Sequence, residues 1–408
     1  MEQLKEKHGI SHGKPESWIN GVYNMMQKTP GLEVMYLFPS PQNLAFSEGN
    51  VEFRAYPQTD IDRLESEQIE LFAEYVRSFM PDVVHVFGTE YLHTYAMLKA
   101  CETLGCLRRI LVHIQGLVSV YASHYCANIP LQILRRKTFR DLLRGGIEKG
   151  QQSFQRRGRF EAEVLRMAGN ISGRTDWDEA CVKMVNPDAK YFFCNETLRN
   201  AFYSSPKWSA SECERHSIFI SQSGYPVKGF HLFLQVLPEI IKKYPDVHVY
   251  TTGTSPIPQT FMQRIKQRSY QKYLETLIRD NHLEKYITFT GYLDEESMCK
   301  RHLKSHVFVM PSSIENSPNS LGEAMLLGVP CISSDVGGVK NLMTHGSEGF
   351  IYPADEPYMI PYYVDKIFSS DELAGEFSRN AQAHAAKTHD REENFRQLMS
   401  IYRQIAGE

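Results

Sequence analysis

An α/β architecture of two doubly wound, parallel-sheet domains is the fold class this sequence predicts, and three observations predict it. Short apolar runs of strand character alternate with longer helix-period segments along all 408 residues, a rhythm that gives right-handed β-α-β units with helices on both faces of a parallel sheet. A chain of this length has room for two or three cores. The periodicity lapses between Asn195 and Ser217, where Tyr203-Ser204-Ser205-Pro206-Lys207-Trp208-Ser209 carries turn chemistry. The boundary is therefore placed at 205/206, with domains over 1–205 and 206–389.

Helical spacing of apolar residues predicts helices over 15–27, 69–80, 92–104, 230–243, 259–280, 294–303, 320–327 and 339–344. Compact apolar runs bounded by turn residues predict strands over 32–38, 83–87, 110–114, 217–221, 247–251, 286–290, 307–310 and 331–333. Residues 371–405 read as two helices broken near Thr388-His389-Asp390. A doubly wound domain normally opens on a strand; here a helix comes first, so the N-terminal domain is expected to lack its first strand. A gap in mid-sheet is costly because buried backbone groups need partners.

Composition narrows the function. With 42% hydrophobic and 23% charged residues and a net charge of -3, the chain is globular and lacks the basic balance of a general nucleic-acid binder. The first thirty residues hold no apolar h-region, and no run reaches the length of a membrane span. The eight cysteines are scattered and form no C-x-x-C pair, which fits reduced thiols in a cytoplasmic protein and gives no zinc spacing.

The most informative stretch is Pro311 to Pro330, PSSIENSPNSLGEAMLLGVP. A strand, the polar loop Asn316-Ser317-Pro318-Asn319-Ser320 and a helix N-terminus make a ready anion site, since first-turn N–H groups lack helical partners and the dipole favours negative charge. Glu315 and Glu323 stand eight positions apart across it, suggesting a ligand with both phosphates and hydroxyls, such as a nucleotide sugar. Lys228, followed by Gly229, sits between a strand and a helix, where an ammonium can meet a phosphate. Glu90 and His93 follow one strand of the first half, and Gln115-Gly116 another, at positions suited to an acceptor. Thr175-Asp176-Trp177-Asp178 reads as a capping box, and Arg174 before it could instead point into an interdomain cleft. Residues 131–159 hold nine basic residues against Asp141 and Glu148, with Ile133, Leu134, Leu142 and Leu143 at helical spacing. That pattern suits either a solvated helix face or a peripheral contact with an anionic membrane on its inner, cytoplasmic face.

Together these residues resemble the GT-B glycosyltransferases, specifically the retaining, family-4-type (group 1) enzymes. The resemblance rests on Glu315 and Glu323, then Gly328-Val329-Pro330, Gly337-Gly338, His345-Gly346-Ser347-Glu348-Gly349-Phe350 and Lys228-Gly229. It covers residues from Pro81 onward and is strongest from Ser217 to Pro353. It implies two Rossmann-like domains with a cleft between them and the last helix returning, over 390–408, to the first. Glu323 would then bind the donor's ribose, and Glu315 and Lys228 would act at the sugar and diphosphate. Ser317, Asn319, Ser320 and Leu321 would hold the phosphates, with Arg174 and Tyr292 also on the donor side. Glu90, His93 and Gln115 would face a glycan or lipid-linked acceptor. The reaction would need no metal and no cofactor beyond a nucleotide sugar, a UDP-sugar being favoured over a GDP-sugar, and would serve polysaccharide or glycoconjugate synthesis.

The chain departs from that pattern at Ser223, where the family has Arg, and at Gln115, where it has His. Two other readings stay open: a catalytically weak GT-B binding module, and a nucleotide-sugar epimerase or phosphorylase on the same fold.

Overall fold

The computed structural model describes residues 19–57 and 64–408. The predicted opening helix is seen over Ile19–Gln27, its first four positions lying outside the described residues. The chain divides into two compact units: residues to Ser119, Arg156–Asn200 and His389–Glu408 form the first, and Val120–Gln155 and Ala201–Thr388 the second.

In the first unit, β1 (Val34–Pro39) pairs in parallel with β3 (Val51–Tyr56), and β2 (Ala45–Glu48) adds antiparallel to β3. A separate sheet runs β4 (Val84–Phe87), β5 (Ile110–His113), β6 (Asn170–Gly173) and β7 (Lys190–Phe193), all parallel. Among the described residues no strand joins β1 to β4. The Ile19–Gln27 helix serves both sheets: Tyr23 packs with Val51 and Phe53, whereas Val22 and Met26 pack near Leu111 and Phe192. The helix Arg391–Ala406 buries Asn394, Leu398 and Ile401, positions three and four apart that make one inward stripe. Leu398 and Ile401 join Leu111, Phe192 and Cys194. Burying a Leu or Ile fully contributes roughly 1.5–3 kcal/mol, which holds this C-terminal helix on the first unit.

The second unit is built on six parallel strands in the order β10 (Ile287–Phe289), β9 (His248–Thr251), β8 (Glu214–Ile220), β11 (Ser305–Met310), β12 (Cys331–Asp335) and β13 (Gly349–Pro353). Every position of the central β11 is buried, as expected of a parallel strand covered on both faces. Trp208 closes the base of this sheet, its indole N–H donating to Ser305 O at 2.8 Å.

Two expectations change. The long helix expected over 259–280 is two, Phe261–Lys266 and Ser269–Asp280. Its break is held by polar groups that periodicity cannot see: Ser269 N donates to Asp141 Oδ2 at 2.8 Å and Gln267 Nε2 to Pro256 O at 2.9 Å. Residues 120–155, read as part of the first domain, cluster with the second unit. Asp141 and the 3.3 Å contact of His231 Nε2 with Ala127 O tie them there.

Candidate functional site

β11 runs buried into the loop Pro311–Pro318 and then the helix Asn319–Leu327. The loop is held from three sides. Ser313 N donates to Val227 O at 2.8 Å, Ser334 Oγ to Ser312 O at 2.6 Å, and Gly338 N to Asn316 O at 2.9 Å. No side chain caps the helix; Leu321 N and Gly322 N turn back onto Pro318 O at 3.0 and 3.2 Å, and the positive end of the helix dipole faces the loop. Ser317 and Leu321 are buried, and Asn319 and Ser320 are half-buried.

Lys228 and Glu315, 87 positions apart, meet here: Nζ donates to Oε1 at 2.6 Å. Ser312 Oγ donates to the same oxygen at 2.7 Å. The Lys228 side chain is 20% exposed and that of Glu315 8%, so the pair is sheltered yet reachable. Burial works against the Lys228 charge, but the Glu315 carboxylate and Tyr225 outweigh it and raise the lysine above its ordinary range. Glu323 lies further along the helix, 4% exposed.

Gly229 makes this approach possible. Its φ is +67°, and a Cβ would lie 1.7 Å from Pro311 O, so backbone packs on backbone where Lys228 reaches the loop. Gly229→Ala is expected to destabilise the protein by at least about 2 kcal/mol, read as a lower urea midpoint. An unchanged midpoint would show that the loop can move aside.

At the other side of the sheet, Gly253 and Gly291 bridge the ends of β9 and β10. Tyr292 follows them, 66% exposed. Ser223 is buried and donates to Thr252 O at 2.9 Å. The serine thus holds the neighbouring loop and brings no charge.

In the first unit the sequence-selected residues gather at the carboxyl ends of β4 and β5, around two carboxylates that sequence reasoning missed. Glu196 is buried and receives Arg174 Nη1 at 2.6 Å, His113 Nε2 at 2.8 Å and Gln115 Nε2. Ser172 Oγ lies 2.9 Å from His113 Nδ1, so both ring nitrogens of His113 are engaged, Nε2 with the carboxylate. Burial raises the Glu196 pKa, but Arg174 and His113 prevail and hold it below the usual carboxylate range. Arg174 is therefore engaged within its own unit, and its backbone N–H donates to Asp178 Oδ2 at 3.1 Å. Asp178 N in turn donates to Thr175 Oγ1 at 3.0 Å.

The second missed carboxylate, Glu161, accepts from Thr89 Oγ1 at 2.6 Å, Val118 N at 3.1 Å and Ser119 N at 2.7 Å. It fastens the loops after β4 and β5. Arg157, from the basic stretch, is buried as well and donates to Glu90 O at 2.9 Å. His93 stacks on Tyr91 at 6.2 Å, and burial lowers its pKa. No sequence period flags Glu161 or Glu196, because their partners lie 42 to 83 positions away or reach them from other strands.

Glu90 folds back over Gly88, whose φ is +87°. Burial, helped by the Glu161 charge, raises its pKa from 4.5 to about 7. Folded protein therefore keeps a proton that the unfolded chain has released between about pH 4.5 and about pH 7, so stability falls as pH rises through that window and levels off above it. Glu90→Gln is expected to flatten this slope, measured by urea unfolding at about pH 5 and about pH 8. An identical slope in the variant would place the titration elsewhere.

Among the described residues no cluster of His, Cys, Asp or Glu is arranged to hold a metal ion, and no helix is long and apolar enough to cross a membrane.

Residues 207–384 match the family model described as glycosyl transferases group 1. Spore coat protein SA of Bacillus subtilis (strain 168) is 26% identical over 180 residues, 43% of this chain and 45% of that protein. The D-inositol 3-phosphate glycosyltransferase of Corynebacterium urealyticum is 23% identical over 179 residues, 44% of this chain and 41% of that protein. The chain thus spans less than half the length of these curated relatives. Among solved structures, sucrose-phosphate synthase from Thermosynechococcus elongatus superposes with a TM-score of 0.69 at 16% identity, covering 92% of this chain and 89% of the other. Anabaena Alr3699/HepE in complex with UDP and glucose gives 0.65 at 15% identity, covering 96% of each.

Proposed function

We propose that this chain, which has the GT-B fold and whose residues 207–384 match the group 1 glycosyl transferase model, moves a hexose-type sugar from a nucleoside diphosphate to a hydroxyl of a glycan or a lipid-linked acceptor. The observation that carries this is the 2.6 Å Lys228–Glu315 pair at the mouth of the Asn319–Leu327 helix. Breaking the sugar–phosphate bond builds negative charge on the leaving diphosphate, and fixed donors aimed at that charge lower the barrier most. Lys228 and the positive end of the helix at Asn319, Ser320 and Leu321 supply that stabilisation, so the reaction proceeds without a metal ion. Glu315 holds Lys228 until the phosphate takes its place and then faces the sugar; Glu323 takes the ribose hydroxyls. Ser317 lines the phosphate loop, and Tyr292 stands exposed where a base can stack.

On the acceptor side, Glu90, His93 and Gln115 bind hydroxyls, and Arg174 acts through Gln115 and Glu196 by positioning them. A UDP-sugar is favoured as donor, supported by the UDP-glucose complex of the structurally similar HepE. Transfer with retention, in the synthesis of a polysaccharide or glycoconjugate, follows from the family resemblance. A screen of UDP- and GDP-sugars for nucleotide release, with and without glycan acceptors, tests the proposal; acceptor-dependent release with the product anomer matching the donor supports it. Ser223, buried and uncharged where the family has arginine, favours a second reading as a weak binding module. Failure of every donor to bind in calorimetry would establish that reading.

A further inference from the structure

Three short helices of the second unit turn their apolar side chains outward. In Phe139–Arg144 the residue facing inward is Asp141, 2% exposed, whereas Phe139, Leu142 and Leu143 are 61%, 69% and 71% exposed. Leu131, which opens Leu131–Arg135, is 68% exposed. Phe261 and Met262, which open Phe261–Lys266, are 76% and 56% exposed. Single exposed apolar side chains are ordinary, but a group of six on neighbouring elements is not.

The arrangement is anchored. Phe139–Arg144 packs against Phe261–Lys266, and Leu131–Arg135 against Ser269–Asp280. Asp141 Oδ2 accepts from Thr138 N at 3.1 Å, Thr138 Oγ1 at 2.9 Å and Ser269 N at 2.8 Å. The polar residue thus fixes the helix from within, and its apolar residues are left to solvent.

Around them lie Arg135, Arg136, Lys137, Arg144, Arg264 and Lys266, all exposed. Among the described residues none of the six makes an ion pair, and the buried Asp141 is the only acidic residue in the three helices. A chain of net charge -3 therefore concentrates positive charge on a surface that also exposes phenylalanine and leucine.

We propose that this surface seats the protein on an anionic phospholipid bilayer, with Leu131, Phe139, Leu142, Leu143, Phe261 and Met262 entering the headgroup–acyl boundary and the basic side chains meeting lipid phosphates. Buried apolar area and attraction to anionic lipid are the two terms that drive such binding. A second copy of the chain is disfavoured, because a two-fold contact would set this basic surface against itself. Long basic side chains without fixed partners suit a layer of headgroups that offers phosphates at no fixed geometry. Arg157, from the same basic stretch, is buried and donates to Glu90 O, and so is not part of this surface.

The inference stands apart from the sugar-transfer reading, and its test uses neither donor nor acceptor. The full chain is floated with vesicles of phosphatidylcholine alone and of phosphatidylcholine with phosphatidylglycerol. Binding only to the anionic vesicles is expected, weakening with added salt. Arg135→Glu with Arg136→Glu, and separately Leu142→Asp with Leu143→Asp, should each lower vesicle affinity at least about tenfold, with unchanged melting temperatures. Phe139→Trp should blue-shift in emission when anionic vesicles are added. Wild-type protein that fails to float, or variants that float as well as wild type, would overturn the proposal. So would a concentration-dependent dimer lost in the Leu142→Asp, Leu143→Asp variant without vesicle binding, which would assign the surface to a second copy.

Discussion

Glu315→Gln is expected to lower turnover by about 100-fold or more while leaving donor affinity nearly unchanged, because the group acts where charge develops and not where the nucleotide is held. The amide keeps the size of the carboxylate and can still accept from Ser312 Oγ, which lies 2.7 Å away, so the loop stays folded. What it loses is the charge that holds Lys228 at 2.6 Å. Glu323→Ala is the counterpart. Loss of charge-assisted hydrogen bonds to ribose costs about 1.5–3 kcal/mol, which is a donor dissociation constant raised roughly 10- to 100-fold. Calorimetry with the donor and steady-state rates with saturating acceptor separate the two effects. If both substitutions produce the same small change in both measurements, the donor does not lie across this helix start.

The second large effect is one of stability. Glu196→Ala is expected to destabilise the first unit by about 3–5 kcal/mol at neutral pH, since it leaves Arg174 and His113 buried around a missing counter-charge. Arg174 is 4% exposed and His113 2%, so water cannot replace the carboxylate. The pH dependence has a definite sign. Arg174 and His113 hold the folded-state pKa of Glu196 below its ordinary value, so its contribution is present above the unfolded pKa and is lost as pH falls through the folded one. The gap between wild type and variant in urea unfolding should therefore narrow in acid. A gap that stays constant would mean that lost packing, and not lost charge, sets the penalty.

The same contrast separates what could be read along the chain from what could not. β11, β5 and the helix Phe230–Lys243 are visible in sequence because burial on both faces of a parallel sheet, or on one stripe of a helix, imposes an apolar period. β2 and β3 were passed over because only one of their faces is apolar and the strands are short: in β2 exposed and half-buried positions alternate. Their Gly49-Asn50 turn was the available signal. Arg174 reads along the chain as a residue that could point into an interdomain cleft, and its carboxylate partner 22 positions away is invisible to local spacing. Likewise the break between Phe261–Lys266 and Ser269–Asp280 depends on Asp141, 128 positions from Ser269.

From the sequence alone came the alternation that makes this an α/β chain, the helix start flanked by Glu315 and Glu323, and the concentration of basic charge before residue 160. These are local properties, set by periodicity, turn chemistry and the dipole of one helix, and they survive without knowledge of any distant contact. Only the tertiary structure decided that Lys228 grips Glu315, that Glu161 and Glu196 organise the first unit, and that Phe139, Leu142 and Leu143 face outward around an inward Asp141. Each of those outcomes depends on which polar group finds a partner when water is removed, and the partners are brought together by packing across many tens of residues.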